Sequence, residues 1–263
     1  MTTIRFDDGA AYERYMGKWS QLAGEAFLRW LRPATGLRWL DVGCGNGAFT
    51  EMIVERCAPA SVHGIDPSAE QLAYARTRPL LQAADFRQGD AMALPYSNST
   101  FDVAVMPLVI FFLSRPAKGV EEMKRVVSPN GVVTAYGWDM VDGGFPYATL
   151  FREMRSVGLE VPSPPSPDAS RRENLQQMWT AAGLEAVETT EIVVERTFAD
   201  FADYWATVLG SASAGAQLRA LGPQDVTRLQ GRLRQALSGS ATGPITYSAR
   251  ANAVRGRVPA AGS

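Results

Sequence analysis

The chain has 263 residues, 46% of them hydrophobic and 20% charged, enough for one large domain or a core with a modest addition. With 26 basic and 27 acidic residues the net charge is −1, and no run of like charge supplies the electrostatic footprint of a nucleic-acid binder. Two cysteines, Cys44 and Cys57, fit neither a zinc spacing nor an iron–sulfur cluster and give no disulfide framework, so no metal and a reducing cytoplasmic setting are expected. No stretch of about 18 apolar residues offers a membrane span, and Met1 to Asp8 lacks an apolar signal core.

In chain order, Tyr12 to Leu31 carries apolar residues at helical spacing, broken near Gly17, and Pro33 and Gly36 then punctuate. Strands and helices alternate from there. Arg38–Val42 reads as a short buried strand, Gly47 to Cys57 as a helix and Ser61–Asp66 as a strand. Ser68-Ala69-Glu70-Gln71 is a capping box opening a helix to about Arg78. Phe86–Asp90 ends a strand, Phe101–Met106 is another, Ala117–Val127 is a helix, and Pro129-Asn130-Gly131 turns into strand Val132–Tyr136. This alternation predicts a parallel sheet covered on both faces, with ligands at the carboxyl ends of its strands. The proline-rich Val161–Pro167 reads as an extended loop. Ser170-Arg171-Arg172-Glu173 reads as a second capping box, and Glu185–Thr197 as a strand. Helices follow near Phe198–Leu209, Ala214–Leu221 and Pro223–Leu237, then a last strand Ile245–Ala253 and a tail expected to fray from Pro259.

Gly43, Gly45 and Gly47 stand where the first strand gives way to a helix, so backbone N–H groups and a helix N-terminus converge there on an anionic group. Gly43-x-Gly45-x-x-Ala48 fits a dinucleotide loop equally well, and Asp66, ending the next strand, suits the ribose of either nucleotide. Two further acids discriminate. Asp41, directly before the glycines, suits an ammonium group and would repel a pyrophosphate. Asp90, followed by Ala91, can accept the exocyclic amine of adenine.

The stretch Leu40 to Val133 resembles a class I S-adenosylmethionine-dependent methyltransferase, of the small-molecule subgroup often called type 11. The residues that carry the likeness are Leu40–Gly47, Gly64-Ile65-Asp66-Pro67-Ser68, Gly89-Asp90-Ala91 with Leu94-Pro95, Phe101-Asp102-Val103 and Met123–Gly131. The resemblance implies a Rossmann-like doubly wound α/β sheet of seven strands, the last antiparallel, with a helical cap. It implies S-adenosylmethionine as cofactor, held by Tyr15, Trp19, Asp41, Gly43, Cys44, Gly45, Asn46, Asp66, Pro67, Gln71, Gly89, Asp90, Ala91, Pro107 and Leu108. Relatives often carry histidines after the fourth strand; this chain has Phe111-Phe112 there.

The expected organisation is an N-terminal cap segment (1–36), a cofactor-binding core (37–140), cap helices and a return to the core (141–196), a helical insertion (197–241) and a final core strand (242–257). The cap is rich in bulky residues, so Phe111, Phe112, Trp138, Phe145 and Tyr204 are expected to line an enclosed apolar pocket for a small, apolar or aromatic methyl acceptor. Methyl transfer from a sulfonium is an in-line displacement governed mainly by positioning. No base stands out; Tyr15 and Asp139 are the candidates, and His63, the one histidine, reads as structural, as Cys44 reads as a loop filler. Two alternatives stay open: an NAD(P)-dependent oxidoreductase, which would lack a Tyr-x-x-x-Lys pair, and a protein that binds the cofactor without catalysis.

Overall fold

A computed structural model describes residues 13–211, 214–237 and 243–260. The start of the expected first helix at Tyr12, the stretch Met1 to Asp8 and the last residues of the tail lie outside the described residues. A π-helical turn, Glu13–Gly17, leads into α1 (Lys18–Leu31), so the expected break at Gly17 is a change of helical pitch. Trp19, Ala23, Phe27 and Leu31 recur every fourth residue and are buried, giving α1 one apolar stripe against the sheet. Arg32 closes the helix in the left-handed region, its N–H donating to Leu28 O, and Pro33 prevents continuation.

Seven strands form one sheet: β1 (Arg38–Val42), β2 (Ser61–Asp66), β3 (Asp85–Gln88), β4 (Phe101–Pro107), β5 (Val127–Trp138), β6 (Glu185–Phe198) and β7 (Ile245–Arg257). Their order is β3-β2-β1-β4-β5-β7-β6. The pairs among β1 to β5 are parallel, while β7 runs antiparallel to both β5 and β6. This is the expected doubly wound sheet. The helices between the parallel strands are α2 (Ala48–Cys57), α3 (Ala69–Ala75) and α4 (Pro116–Val126). Beyond β5 come α5 (Ala148–Ser156) and α6 (Arg172–Ala181), and α7 (Phe201–Leu209), α8 (Gly215–Arg219) and α9 (Pro223–Leu237) lie between β6 and β7.

Both capping boxes depart from expectation. Ser68 Oγ accepts the Gln71 N–H at 3.2 Å, but the Ser68 N–H donates to Asp66 Oδ1 at 2.9 Å, so an acid from the preceding strand takes the return half. Ser170 caps nothing: it is buried, accepts the Met140 N–H and donates to Pro167 O. Arg171 occupies the cap position of α6 without a side-chain bond. Among the described residues no helix is long and apolar enough to cross a membrane, and no group of three or more His, Cys, Asp or Glu could hold a metal.

Candidate active site

The carboxyl ends of β1, β2 and β4 converge on the glycine loop, where each glycine has a different reason to be there. Gly43 (φ +77°) lies under Val109, whose side chain stands 2.4 Å from where a Cβ would sit. Gly47 (φ +81°) caps α2 and is closed in by Leu81 and Ala75. Gly45 (φ +51°) faces open space: the nearest atom to a Cβ there would be Gln71 Oε1 at 4.0 Å. The loop is pinned from behind, with the Gly43 and Cys44 N–H groups both donating to Ile65 O. One glycine of three thus presents a bare backbone to an incoming ligand.

Asp41 is fully buried at the end of β1. Its Oδ2 accepts the Thr50 hydroxyl at 2.7 Å, while Oδ1 is buried with no hydrogen-bond partner. Burial, opposed by the Thr50 bond and helped by the Asp66 charge, pushes this carboxyl up to about 7. A buried acceptor without a donor costs about 1–3 kcal/mol, more when charged, and an ammonium group would relieve it. Asp66 sits half-buried at the end of β2, accepting the Gly45 N–H through Oδ2 and the Ser68 N–H through Oδ1, both at 2.9 Å. Burial raises its pKa against those two bonds, and spare lone pairs remain for ligand hydroxyls. Asp90 is exposed; its Oδ1 caps the following turn through the Met92 N–H at 2.8 Å, and Ala91 beside it is buried.

The remaining expected cofactor residues divide. Gln71 is buried and faces Gly45. Asn46 accepts the Ala48 N–H, the Gly89 N–H donates to Asp66 O, and Pro67 is exposed. The Cys44 side chain packs with Leu72, Ala75, Leu81 and Phe86, and burial pushes its thiol well up, in keeping with a filler. Pro107 ends β4 and Leu108 bends away from it at φ +60°, its N–H donating to Tyr136 O at 2.7 Å. That unusual bend, which the sequence did not announce, carries Val109 over Gly43. Thr50 was missed too; a threonine three residues past Gly47, on the first turn of α2, is the available signal.

Tyr15 and Trp19 join a buried aromatic cluster with Tyr147, Tyr204, Phe198 and Tyr247. Tyr15 stacks on Tyr147 with centroids 4.0 Å apart, Trp19 lies 5.1 Å from Tyr247, and Phe198 stacks on Tyr247 at 5.9 Å. Phe145 and Tyr204 each neighbour Tyr147. Trp138 lies on the same sheet face, because it pairs with Ala251, an even number of residues along β7 from Tyr247. Phe111 does not: it packs where a Cβ on Gly137 would point, from the opposite face. Phe112 packs on Phe111 with centroids 4.6 Å apart. The expected single pocket lined by Phe111, Phe112, Trp138, Phe145 and Tyr204 therefore divides across β5, since alternate strand residues point to opposite faces.

Asp139, one of the two candidate bases, has its carboxylate already engaged. It is buried, ion-paired with Arg250, and accepts the Val141 and Asp142 N–H groups at 3.2 and 2.9 Å, which leaves no carboxylate oxygen uncommitted. Tyr15 fares no better, since burial and the neighbouring Tyr147 and Tyr204 hold its phenol well above the ordinary range. His63 pairs with Asp85 at 3.2 Å and meets Tyr96 and Phe101 edge-on, a structural setting. A separate cleft of about 480 Å³, lined by Leu31, Arg32, Asn130, Arg255 and Arg257 among others, opens at the other end of the sheet from the glycine loop.

Residues 40–135 match a family model described as a methyltransferase domain. The ubiquinone/menaquinone biosynthesis C-methyltransferase UbiE of Ruegeria sp. (strain TM1040) is 32% identical over 111 residues, which cover 41% of this chain and 44% of that protein. The malonyl-[acyl-carrier protein] O-methyltransferase of Pectobacterium atrosepticum is 33% identical over 123 residues, covering 46% of each. The chain thus spans under half the length of these curated relatives. The solved YcgJ protein of Bacillus subtilis superposes with a TM-score of 0.62 at 18% identity, covering 91% of this chain and 99% of that one, a likeness of fold. Residues 40–135 are thus similar to a methyltransferase domain, and the fold around them is that of solved proteins such as YcgJ.

Proposed function

We propose that the chain binds S-adenosylmethionine at the Asp41–Gly47 loop and transfers its methyl group to a small, apolar or aromatic molecule. The observation that carries this reading is the unpartnered Oδ1 of Asp41, buried beside a glycine loop with an open face at Gly45. A carboxylate in want of a donor there suits the ammonium of an amino-acid moiety and opposes the pyrophosphate of a nicotinamide nucleotide. On this reading Asp41 holds the amino-acid end, Asp66 the ribose hydroxyls, and Asp90 with Ala91 the adenine edge. The sulfonium, when bound, supplies the activated methyl group. The chain's own part is to orient the two partners and exclude water, which alone can supply roughly 7–11 kcal/mol. The curated relatives named above are, by their names, a C-methyltransferase of ubiquinone/menaquinone biosynthesis and a malonyl-[acyl-carrier protein] O-methyltransferase, which supports an acceptor outside the nucleic acids.

Calorimetry with S-adenosylhomocysteine and with NADH tests the cofactor: binding of the first and not the second is expected, and the reverse would sink the proposal. A second reading, a cofactor-binding protein that does not methylate, is favoured by one observation, the commitment of Asp139 to Arg250 and two backbone groups. Methyl transfer to any member of a panel of phenols, amines and acids eliminates it.

A further inference from the structure

The glycine loop is backed by a segment that the site described above does not use. Residues 75–81 close over Gly47, where Leu81 and Ala75 would meet a Cβ, and Arg78 lies in the middle of that segment. Its backbone is fixed on both sides: the Arg78 N–H donates to Ala75 O and its carbonyl accepts the Leu81 N–H, each at 3.1 Å. Pro79 keeps it in the extended region, at φ −70° and ψ 125°. From there the guanidinium reaches 32 residues back along the chain, where Nε donates to Asn46 O at 2.7 Å. A terminal nitrogen pairs with Glu51 Oε2, on the first turn of α2, also at 2.7 Å. The pair is largely shielded, its side chains 16% and 24% exposed.

The bond to Asn46 O falls on one particular peptide. The Asn46 carbonyl and the Gly47 N–H belong to the same plane, and that N–H closes the Cys44–Gly47 turn by donating to Cys44 O at 2.9 Å. Arg78 thus holds the other side of the plane. A peptide next to glycine turns over at little steric cost, and turning this one would break the turn that leaves Gly45 facing open space. Glu51 matters for charge. S-adenosylmethionine carries a sulfonium and an ammonium against one carboxylate, so a bare guanidinium behind the loop would repel it, and the ion pair cancels most of that field.

We propose that Arg78, neutralised by Glu51, is a positioning residue for the methyl donor, locking the Asn46–Gly47 peptide in its binding orientation without setting a net positive charge against the sulfonium. This role rests on the S-adenosylmethionine reading above and belongs to a residue that stands behind the loop and acts through it.

The test titrates the full chain calorimetrically with S-adenosylmethionine and with S-adenosylhomocysteine, which differ by the sulfonium charge. Arg78→Met combined with Glu51→Gln removes the clamp and both charges; both ligands should weaken about five- to tenfold, with their affinity ratio unchanged. Glu51→Gln alone keeps the clamp and leaves its charge uncancelled. S-adenosylhomocysteine should then bind nearly as it does to the wild type, while S-adenosylmethionine weakens about threefold at low salt, a gap that closes at about 0.5 M sodium chloride. A loss of packing alone would weaken both ligands together and would not respond to salt. Full affinity for both ligands in a double variant whose circular dichroism matches the wild type overturns the inference, as does an unchanged ratio in Glu51→Gln. If the double variant does not fold, the single variant decides. Wild-type protein that binds neither ligand overturns the S-adenosylmethionine reading itself, and this inference with it.

Discussion

Replacing Asp41 with Asn should make the ligand-free protein more stable and the cofactor complex weaker. Burial lifts the Asp41 carboxyl from an ordinary 3.8 to about 7. Between those values the folded chain keeps a proton that the unfolded chain has released, so this residue's contribution to stability falls as pH rises through that window and is level above it. At pH 8 the charged form costs about 4 kcal/mol, at about 1.4 kcal/mol for each pH unit separating the two states. Asp41→Asn removes the charge and keeps an acceptor for the Thr50 hydroxyl, but it puts an unmatched amide N–H₂ near the site of Oδ1, costing about 1–3 kcal/mol. The net gain is about 1–3 kcal/mol at pH 8, vanishing towards pH 5. Denaturant titration of both proteins at the two pH values measures it, because the difference between them isolates this residue. In the same samples, affinity for S-adenosylhomocysteine should fall by about 1.5–3 kcal/mol with the loss of a charge-assisted bond. A difference in stability that does not change with pH would refute the argument from burial; unaltered affinity would refute the ammonium assignment.

Other expectations follow from the same geometry. Asp66→Ala should cost about 1.5–3 kcal/mol of cofactor affinity, read by calorimetry on protein whose circular dichroism matches the wild type; full affinity would refute the ribose assignment. Gly45→Ala should fold with a stability loss of about 1 kcal/mol, its φ of +51° being tolerable, yet lose cofactor binding, whereas Gly43→Ala meets Val109 at 2.4 Å and should unfold early. Equal thermal midpoints for the two would contradict the packing described. Asp139→Asn should lower stability by about 1–3 kcal/mol by weakening the Arg250 pair, with the methyl-transfer rate per folded molecule unchanged; a rate drop of several orders of magnitude with stability intact would restore Asp139 as a base.

The sheet was legible because its parallel strands are short apolar runs punctuated by glycine, proline and capping residues, and each such signal is local. Asp41 and Asp66 were legible for the same reason: an acid at a strand end beside a glycine loop is a pattern within one stretch of chain. What escaped depends on contacts between distant stretches. Arg250 reaches Asp139 across 111 residues of sequence, brought there by the antiparallel register of β5 and β7. Ser170 matches a capping pattern, but tertiary packing spends its hydroxyl on Met140 and Pro167 instead. Phe111 and Trp138 share bulk and neighbourhood, yet the strand between them decides which face each occupies.

The antiparallel course of β7 has a consequence for how such a chain can diversify. β6 ends at Phe198 and β7 begins directly opposite it at Ile245. The rung before that pair is fastened by a 2.7 Å bond between the Thr197 and Thr246 hydroxyls. The helices α7 to α9 are therefore, topologically, the tip of a hairpin whose two roots are fixed side by side. A segment rooted that way can be lengthened, shortened or exchanged between relatives without moving a single strand of the glycine-loop half. If the function proposed above holds, a hybrid carrying another relative's residues between these two threonines is expected to keep the glycine-loop site and to change its acceptor.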